Sequence, residues 1–446
     1  MTLKTYFTSL ALSMLLAVGA YCQELTPEIH GAGWLQMGRV VESSSEKGRS
    51  NDYTDNWMQN AGGQLSATLN VDDHWQGGLS IGVIQVHLAR GSKTQASLWY
   101  PFWVTYVGEA RITYSNSLFT ADDKWSLTMG SFGYNYNPDV KNLGLYMMRG
   151  YVYPGALVSG FGNIYGARAG YEIGMLSNDL LFNIETEDKP LYDISIADYL
   201  NFKFHPGFEF GLGVNFYRLI PQNSDVTSPT KDCDEQTDIS VYGRMGQDNA
   251  CFLFDSSYTV TTDPLTGQLD STLVLDTITG SLAGTKMVMR FRLDPKALAG
   301  GIEALGENDL VIYGEAAILG TKNYSGEVYG SMSERMPIMV GMNLPTFGFM
   351  NLSVEVEHYG SKNSSDNLAA QNGSWVPPVK SDVDNTRDDW KWAVNASKGL
   401  FGNMALSAQV ANDHLRLGGS HNIATGVETT TTPSDWYWTA KLAYFF

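Results

Sequence analysis

Trp436-Tyr437-Trp438-Thr439-Ala440-Lys441-Leu442-Ala443-Tyr444-Phe445-Phe446 ends the chain. Read with a period of two, Trp436, Trp438, Ala440, Leu442, Tyr444 and Phe446 point one way. Tyr437, Thr439, Lys441 and Ala443 point the other way. The first face carries aromatics at both ends with small or aliphatic residues between. That is the layout two interfacial girdles around a hydrocarbon band require. The second face is mixed and polar. A strand of this kind suits a wall between lipid and water.

The same alternation recurs upstream for about ten positions at a time. Phe208, Phe210, Leu212, Val214 and Phe216 alternate with Glu209, Gly211, Gly213, Asn215 and Tyr217. Met350, Leu352, Val354 and Val356 alternate with Asn351, Ser353, Glu355 and Glu357, and Met404 to Ala411 repeats the pattern. About sixteen strands are expected, near 29–42, 62–72, 75–88, 103–115, 124–134, 164–176, 179–187, 194–204, 207–219, 285–294, 309–320, 335–344, 349–360, 389–398, 404–417 and 435–446. Their connections alternate in length. Asp72-Asp73-His74, Ser177-Asn178, His205-Pro206-Gly207, Pro345-Thr346-Phe347 and Gly399-Leu400-Phe401-Gly402 are tight, whereas most others are long and polar. A soluble sandwich has no reason to sort its loops this way. A transmembrane barrel with short periplasmic turns and long external loops does.

On these residues the chain resembles bacterial outer-membrane β-barrels of the porin type. The last strand, ending on Phe446, resembles the terminal strand that the barrel-assembly machinery reads. The likeness is architectural, covers most of the chain and matches no one porin family. The opening Ile29-His30-Gly31-Ala32-Gly33 is loosely similar to sugar-porin first strands. The expected fold is therefore all-β, a transmembrane antiparallel up-and-down barrel of about sixteen strands. Eighteen are required if a hairpin near Asp263-Pro264-Leu265-Thr266-Gly267 joins the wall. The physics is compelling: in hydrocarbon every amide needs a partner, and a sheet provides that only by closing. A ring of about sixteen strands is too wide for side chains to fill, so water occupies it.

Composition agrees. In 446 residues, 47 acids against 29 bases give −18, which excludes the basic footprint of a nucleic-acid binder. Charged residues are 17%, below the roughly 25% of soluble domains, with 46 glycines and 12% aromatics. Mean hydropathy is −0.17, too low for a bundle of membrane helices.

Residues 1–22 read as a secretory signal, with Lys4, an apolar Leu10–Val18 stretch and small residues at Gly19-Ala20, cleaved after Ala20 or Cys22. Bulky Tyr21 argues against lipidation of Cys22. Residues 23–446 then form the barrel, located in the outer membrane of a Gram-negative-type bacterium. Cys233 and Cys251, exported and sharing one segment, are expected to form a disulfide.

Catalysis finds little support. Gly78-Leu79-Ser80-Ile81-Gly82 spells the nucleophile-elbow pattern, but inside an alternating strand rather than at a sharp strand-to-helix turn. Glu357-His358 and Asp413-His414 are neighbours whose side chains face opposite sides of a strand. No enzyme activity, metal or cofactor is expected.

The polar face carries the chemistry. Alternation puts Glu109, Arg111, Arg168, Glu172, Glu185, Lys203, Glu209, Arg290, Arg292, Glu315, Glu355, Glu357, Lys391 and Lys441 inward. Either they solvate a wet interior and pair with one another, or a subset with Arg111, Arg168, Arg290 and Arg292 sets up a transverse field for ion transport. The connection 135–163 is unusually apolar and holds Asp139, Lys141, Tyr146 and Arg149. It either folds inside as a constriction, as the third loop of porins does, or forms another strand or a subunit contact. The largest insertion, 221–284, carries ten acids against Lys231 and Arg244 and reads as a solvated surface loop.

The resemblance implies a channel passing small hydrophilic solutes by diffusion, with lipid and lipopolysaccharide outside it and a homotrimeric assembly by analogy. One alternative is a sugar-selective porin using inward Trp34, Tyr217, Tyr313, Tyr359 and Tyr437. The other is a surface adhesin or binding scaffold on a plugged barrel.

Overall fold

The computed structural model describes residues 27–42, 57–87, 102–120, 122–147, 163–186, 192–220, 222, 250–262, 269–280, 284–302, 305–321, 332–346, 350–359, 390–412 and 436–446. The strands are β1 (Glu28–Glu42), β2 (Trp57–Asn70), β3 (Trp75–His87), β4 (Phe102–Ser117), β5 (Lys124–Gly133), β6 (Asn163–Ile173), β7 (Leu176–Ile184), β8 (Ile194–His205) and β9 (Phe208–Ile220). They continue with β10 (Ala250–Thr262), β11 (Leu269–Gly280), β12 (Gly284–Leu293), β13 (Ile312–Leu319), β14 (Ile338–Asn343), β15 (Asn351–His358), β16 (Trp390–Gly399), β17 (Met404–Ala411) and β18 (Trp436–Phe445). Sixteen of them close one antiparallel barrel, each beside its neighbour in sequence except that β9 meets β12.

β10 and β11 pair only with each other, in a separate two-stranded sheet. The wall therefore has sixteen strands, and the eighteen-strand alternative is corrected. β9 and β12 are already in register from Tyr217↔Gly284 to Phe208↔Leu293, so no edge is left for the hairpin to join.

Closure runs through the two ends of the ladder. β18 pairs with β1 along Ala32↔Phe445 to Val40↔Tyr437, and Phe446 exchanges backbone hydrogen bonds with Gly31 at 2.7 and 2.9 Å. Outside, Leu35, Met37, Leu65, Ile81, Met129, Met289, Val340 and Leu442 stand exposed as an apolar band, which an aqueous protein would have to bury.

The tight turns sit at one end and have local causes. Asp72 Oδ1 accepts the His74 and Trp75 N–H groups at 2.8 and 2.7 Å, and Gly174 turns the chain with φ +56°. This second turn is corrected from Ser177-Asn178 to Gly174-Met175. Only glycine adopts that backbone cheaply, and Ser177 and Asn178 already pair with Glu172 and Tyr171. The longer connection after β12 is a single helical turn, α1 (Pro295–Leu298). Asp294 caps it by accepting from the Lys296 and Ala297 amides, and Pro295 opens it.

The buried cluster is inside the ring. Phe132, Tyr134, Tyr136, Leu143, Tyr146 and Met147, from the end of β5 and the chain after it, pack on Tyr313, Met339, Ala393 and Tyr437 of the wall.

Candidate functional site

Residues 134–147 leave β5 and run without strand structure along the inner wall. Two left-handed residues, Gly144 (φ +93°) and Leu145 (φ +58°), bend this segment back. A Cβ on Gly144 would lie 2.7 Å from Met339 Cε, so the chain is pressed against β14 there.

Three carboxylates of β13 and β15 hold it. Glu355 accepts the consecutive Lys141, Asn142 and Leu143 backbone N–H groups at 2.6, 2.9 and 2.8 Å, and the Tyr313 hydroxyl at 2.9 Å. Successive amides around one anion form a nest, with the wall supplying the charge. Glu315 accepts Tyr136 Oη at 2.7 Å and Asn137 Nδ2 at 2.6 Å, and Glu357 accepts Tyr146 Oη at 2.6 Å. Burial, and then the facing Glu315 carboxylate, push the Tyr136 phenol well above its ordinary range, so it stays a donor. From β12, Lys286 Nζ donates to the Tyr146 carbonyl at 2.7 Å.

The ladders give the residues that alternation points inward one shared face, Glu185 excepted because it follows β7 outside any ladder, and that face has two environments. Glu315, Glu355, Glu357 and Lys391 are at most 2% exposed, covered rather than solvating a wet wall. Glu109, Arg111, Arg168, Glu172, Lys203 and Lys441 remain reachable by solvent. The four arginines each face an acid. Arg111 contacts Glu109, Arg168 pairs with Asp179 at 2.7 Å, Arg290 with Glu209 at 3.1 Å, and Arg292 with Asp139 at 3.2 Å.

Of the loop residues, Asp139 thus meets Arg292, and Lys141 and Tyr146 reach the β15 carboxylates. Arg149, Cys233, Asp413 and His414 lie outside the described residues, as do the 1–22 segment and nearly all of 221–249. Cys251 lies in β10.

Among the aromatics proposed to face a sugar, Tyr313 and Tyr437 are wholly buried, with Tyr437 Oη accepting from Gln409 Nε2 at 2.8 Å. Tyr359 is buried, Tyr217 lies 3.4 Å from Glu185, and Trp34 has Lys441 Nζ 5.1 Å from its ring centroid. Ser80 accepts from Gln64 Nε2 at 2.5 Å within strand β3, so the elbow spelling has no elbow geometry. His358 faces away from Glu357 and packs on Trp390, with ring centroids 4.7 Å apart.

The sequence reading missed Lys286, Tyr134, Tyr136, Asn137 and Tyr199. Lys286 was legible, because it shares the parity of Arg290 and Arg292 on β12. The tyrosines and Asn137 were not, since nothing local says what the chain after β5 will touch.

Beneath the loop, toward the tight-turn end, lies a cavity of about 590 Å³. Its lining mixes Tyr134, Tyr136 and Tyr199 with Asn135, Asn201, Asn308, Asn343 and Asn351, and with Asp139, Lys141, Asp179, Lys203, Glu209, Arg290 and Arg292.

No protein-family model and no curated protein matches the chain. Solved structures with a similar course include a mutant of Rh. blastica porin, at 9% identity over 94% of this chain and 100% of that one, with a TM-score of 0.43. Salmonella typhi OmpF in complex with daunomycin gives 10% identity over 94% and 97%, with a TM-score of 0.45. At such values the likeness adds nothing to what this chain's own strand ladder establishes.

Proposed function

We propose that this chain is an outer-membrane channel that passes small hydrophilic solutes by diffusion. One observation carries the reading: a closed sixteen-strand ring is apolar outside, polar inside, and narrowed from within by a loop that the wall itself anchors. A ring of this size holds water, and only a closed ring satisfies its amides in lipid. Glu109, Arg111, Arg168, Glu172, Lys203 and Lys441 line the water-facing arc, with Arg292 at its border. Glu315, Glu355 and Glu357 position the constriction, whose described members are Asp139, Lys141 and Tyr146. Mixed signs along the arc argue for weak selectivity between ions.

The test is conductance in planar bilayers. Purified protein is expected to insert and give stepwise ohmic channels. A preparation that is folded by circular dichroism and silent in the bilayer ends this reading and leaves a closed binding scaffold.

A further inference from the structure

The half-open cavity beneath the loop is bounded by Asp139 and Tyr136 above and by residues of β7, β8, β9, β12, β14 and β15 around it. Its volume falls in the range of ligand clefts, roughly 300–1,000 Å³. Each of its carboxylates has a cationic partner, although Asp139 Oδ2 and the neighbouring Asn343 Oδ1 are buried without a hydrogen bond among the described residues. Asp179 accepts from Tyr134 at 3.0 Å and Arg168 at 2.7 Å, Glu209 takes Arg290, and Asp139 takes Arg292. Its donors are not all spent. Arg290, 6% exposed, uses Nε on Tyr199 and Nη2 on Asn201 and Glu209, yet its buried Nη1 has no partner among the described residues. Lys203 stands exposed opposite Glu209 in the ladder, without an ion pair among the described residues.

The lining carries four cationic side chains, Lys141, Lys203, Arg290 and Arg292, against three carboxylates, Asp139, Asp179 and Glu209, each of which already has an ion-pair partner. A cation would find its partners taken. An anion would be held by charge-assisted bonds, and any hydroxyl groups by the asparagine and tyrosine lining. We infer that the cavity under the loop is a binding subsite for a small hydroxylated organic anion, a sugar-acid-like carboxylate or a sugar phosphate. Arg292 and Lys203 hold its charge. The inference rests on the channel reading for its biological sense, because the cavity lies on the lumen side of the wall, but binding itself does not require conduction.

Isothermal titration on detergent-solubilised full chain separates the two. The probes are sodium gluconate, glucose 6-phosphate, inorganic phosphate and glucose. Saturable binding of gluconate or glucose 6-phosphate is expected, weakened about tenfold in Lys203→Gln and in Arg292→Gln, and retained in Lys203→Arg. Glucose is expected to bind at least tenfold more weakly. Because Arg292 also pairs with the loop, Lys203→Gln is the decisive variant: Lys203 holds nothing in place. No saturable binding of either organic anion, binding indifferent to Lys203→Gln, or equal binding of glucose would overturn the inference. Inorganic phosphate binding as tightly as the organic anions would overturn the hydroxyl half of it. A silent bilayer with intact gluconate binding would sink the channel and keep the subsite.

Discussion

Glu355 shows how much one side chain can organise. It sits wholly buried, yet four donors converge on it, three of them consecutive backbone amides of the inner loop. A hydrogen bond to a charged acceptor contributes about 1.5–3 kcal/mol, and losing the charge leaves the amides poorly satisfied. Glu355→Gln is therefore expected to raise amide exchange at Lys141, Asn142 and Leu143 by about 10- to 100-fold without opening the barrel. Unchanged exchange at all three would show that apolar packing of Leu143 and Met147 alone holds the loop. The arginines divide by burial in the same way. Arg111 and Arg168 meet solvent, so reversing either to glutamate should shift the bilayer reversal potential in a KCl gradient toward cations. Reversing Arg290 is expected to destabilise instead, by about 3–5 kcal/mol, since Glu209 would lose its buried partner and face a like charge. Thermal unfolding of the Arg290→Glu protein checks this, and an unchanged midpoint would refute it.

The turns and the hairpin behave as separable parts. The Asp72 carboxyl is held below its ordinary value by the His74 and Trp75 backbone N–H groups, while its slight burial works the other way. A depressed carboxyl stabilises the fold above its unfolded value near 3.8 and loses that contribution as pH falls through the lower folded value. Protection of the His74 and Trp75 amides, measured against their intrinsic exchange rates, should therefore hold at pH 6 and fall only below the ordinary carboxylate range. Asp72→Asn should remove that pH dependence. The β10–β11 hairpin touches no wall ladder, and β9 already meets β12 in register. Replacing residues 223–282 with a short Gly-Ser linker is expected to leave heat-modifiable gel migration intact. Loss of that migration would mean the insertion helps to close the ring.

Across the whole molecule the inner loop splits the lumen into a covered arc and a wet arc. Glu315, Glu355, Glu357 and Lys391 of β13, β15 and β16 point inward and are dry. Glu109, Arg111, Arg168, Glu172, Lys203 and Lys441, from β4, β6, β8 and β18, meet solvent. Charges on one inner face thus do two jobs, and their parity is the same in both. An acid on a strand cannot announce whether it will meet water or the amides of a segment 169–214 residues away in sequence.

The barrel itself was legible because lipid imposes it residue by residue. Each strand must show apolar groups to hydrocarbon and polar groups to water, so the period-two pattern of Trp436 to Phe446 is a local record of the global environment. Sixteen strands and which face turns inward followed from that record and from the sorted loops. What only the tertiary structure decided is long-range and specific. The loop closes on Glu315, Glu355 and Glu357, the β10–β11 hairpin stands apart, and a cavity forms where Asp139 reaches Arg292. Periodicity fixes the direction a side chain points; its partner is set by three-dimensional closure, which brings the chain after β5 within hydrogen-bonding reach of β15 across the ring.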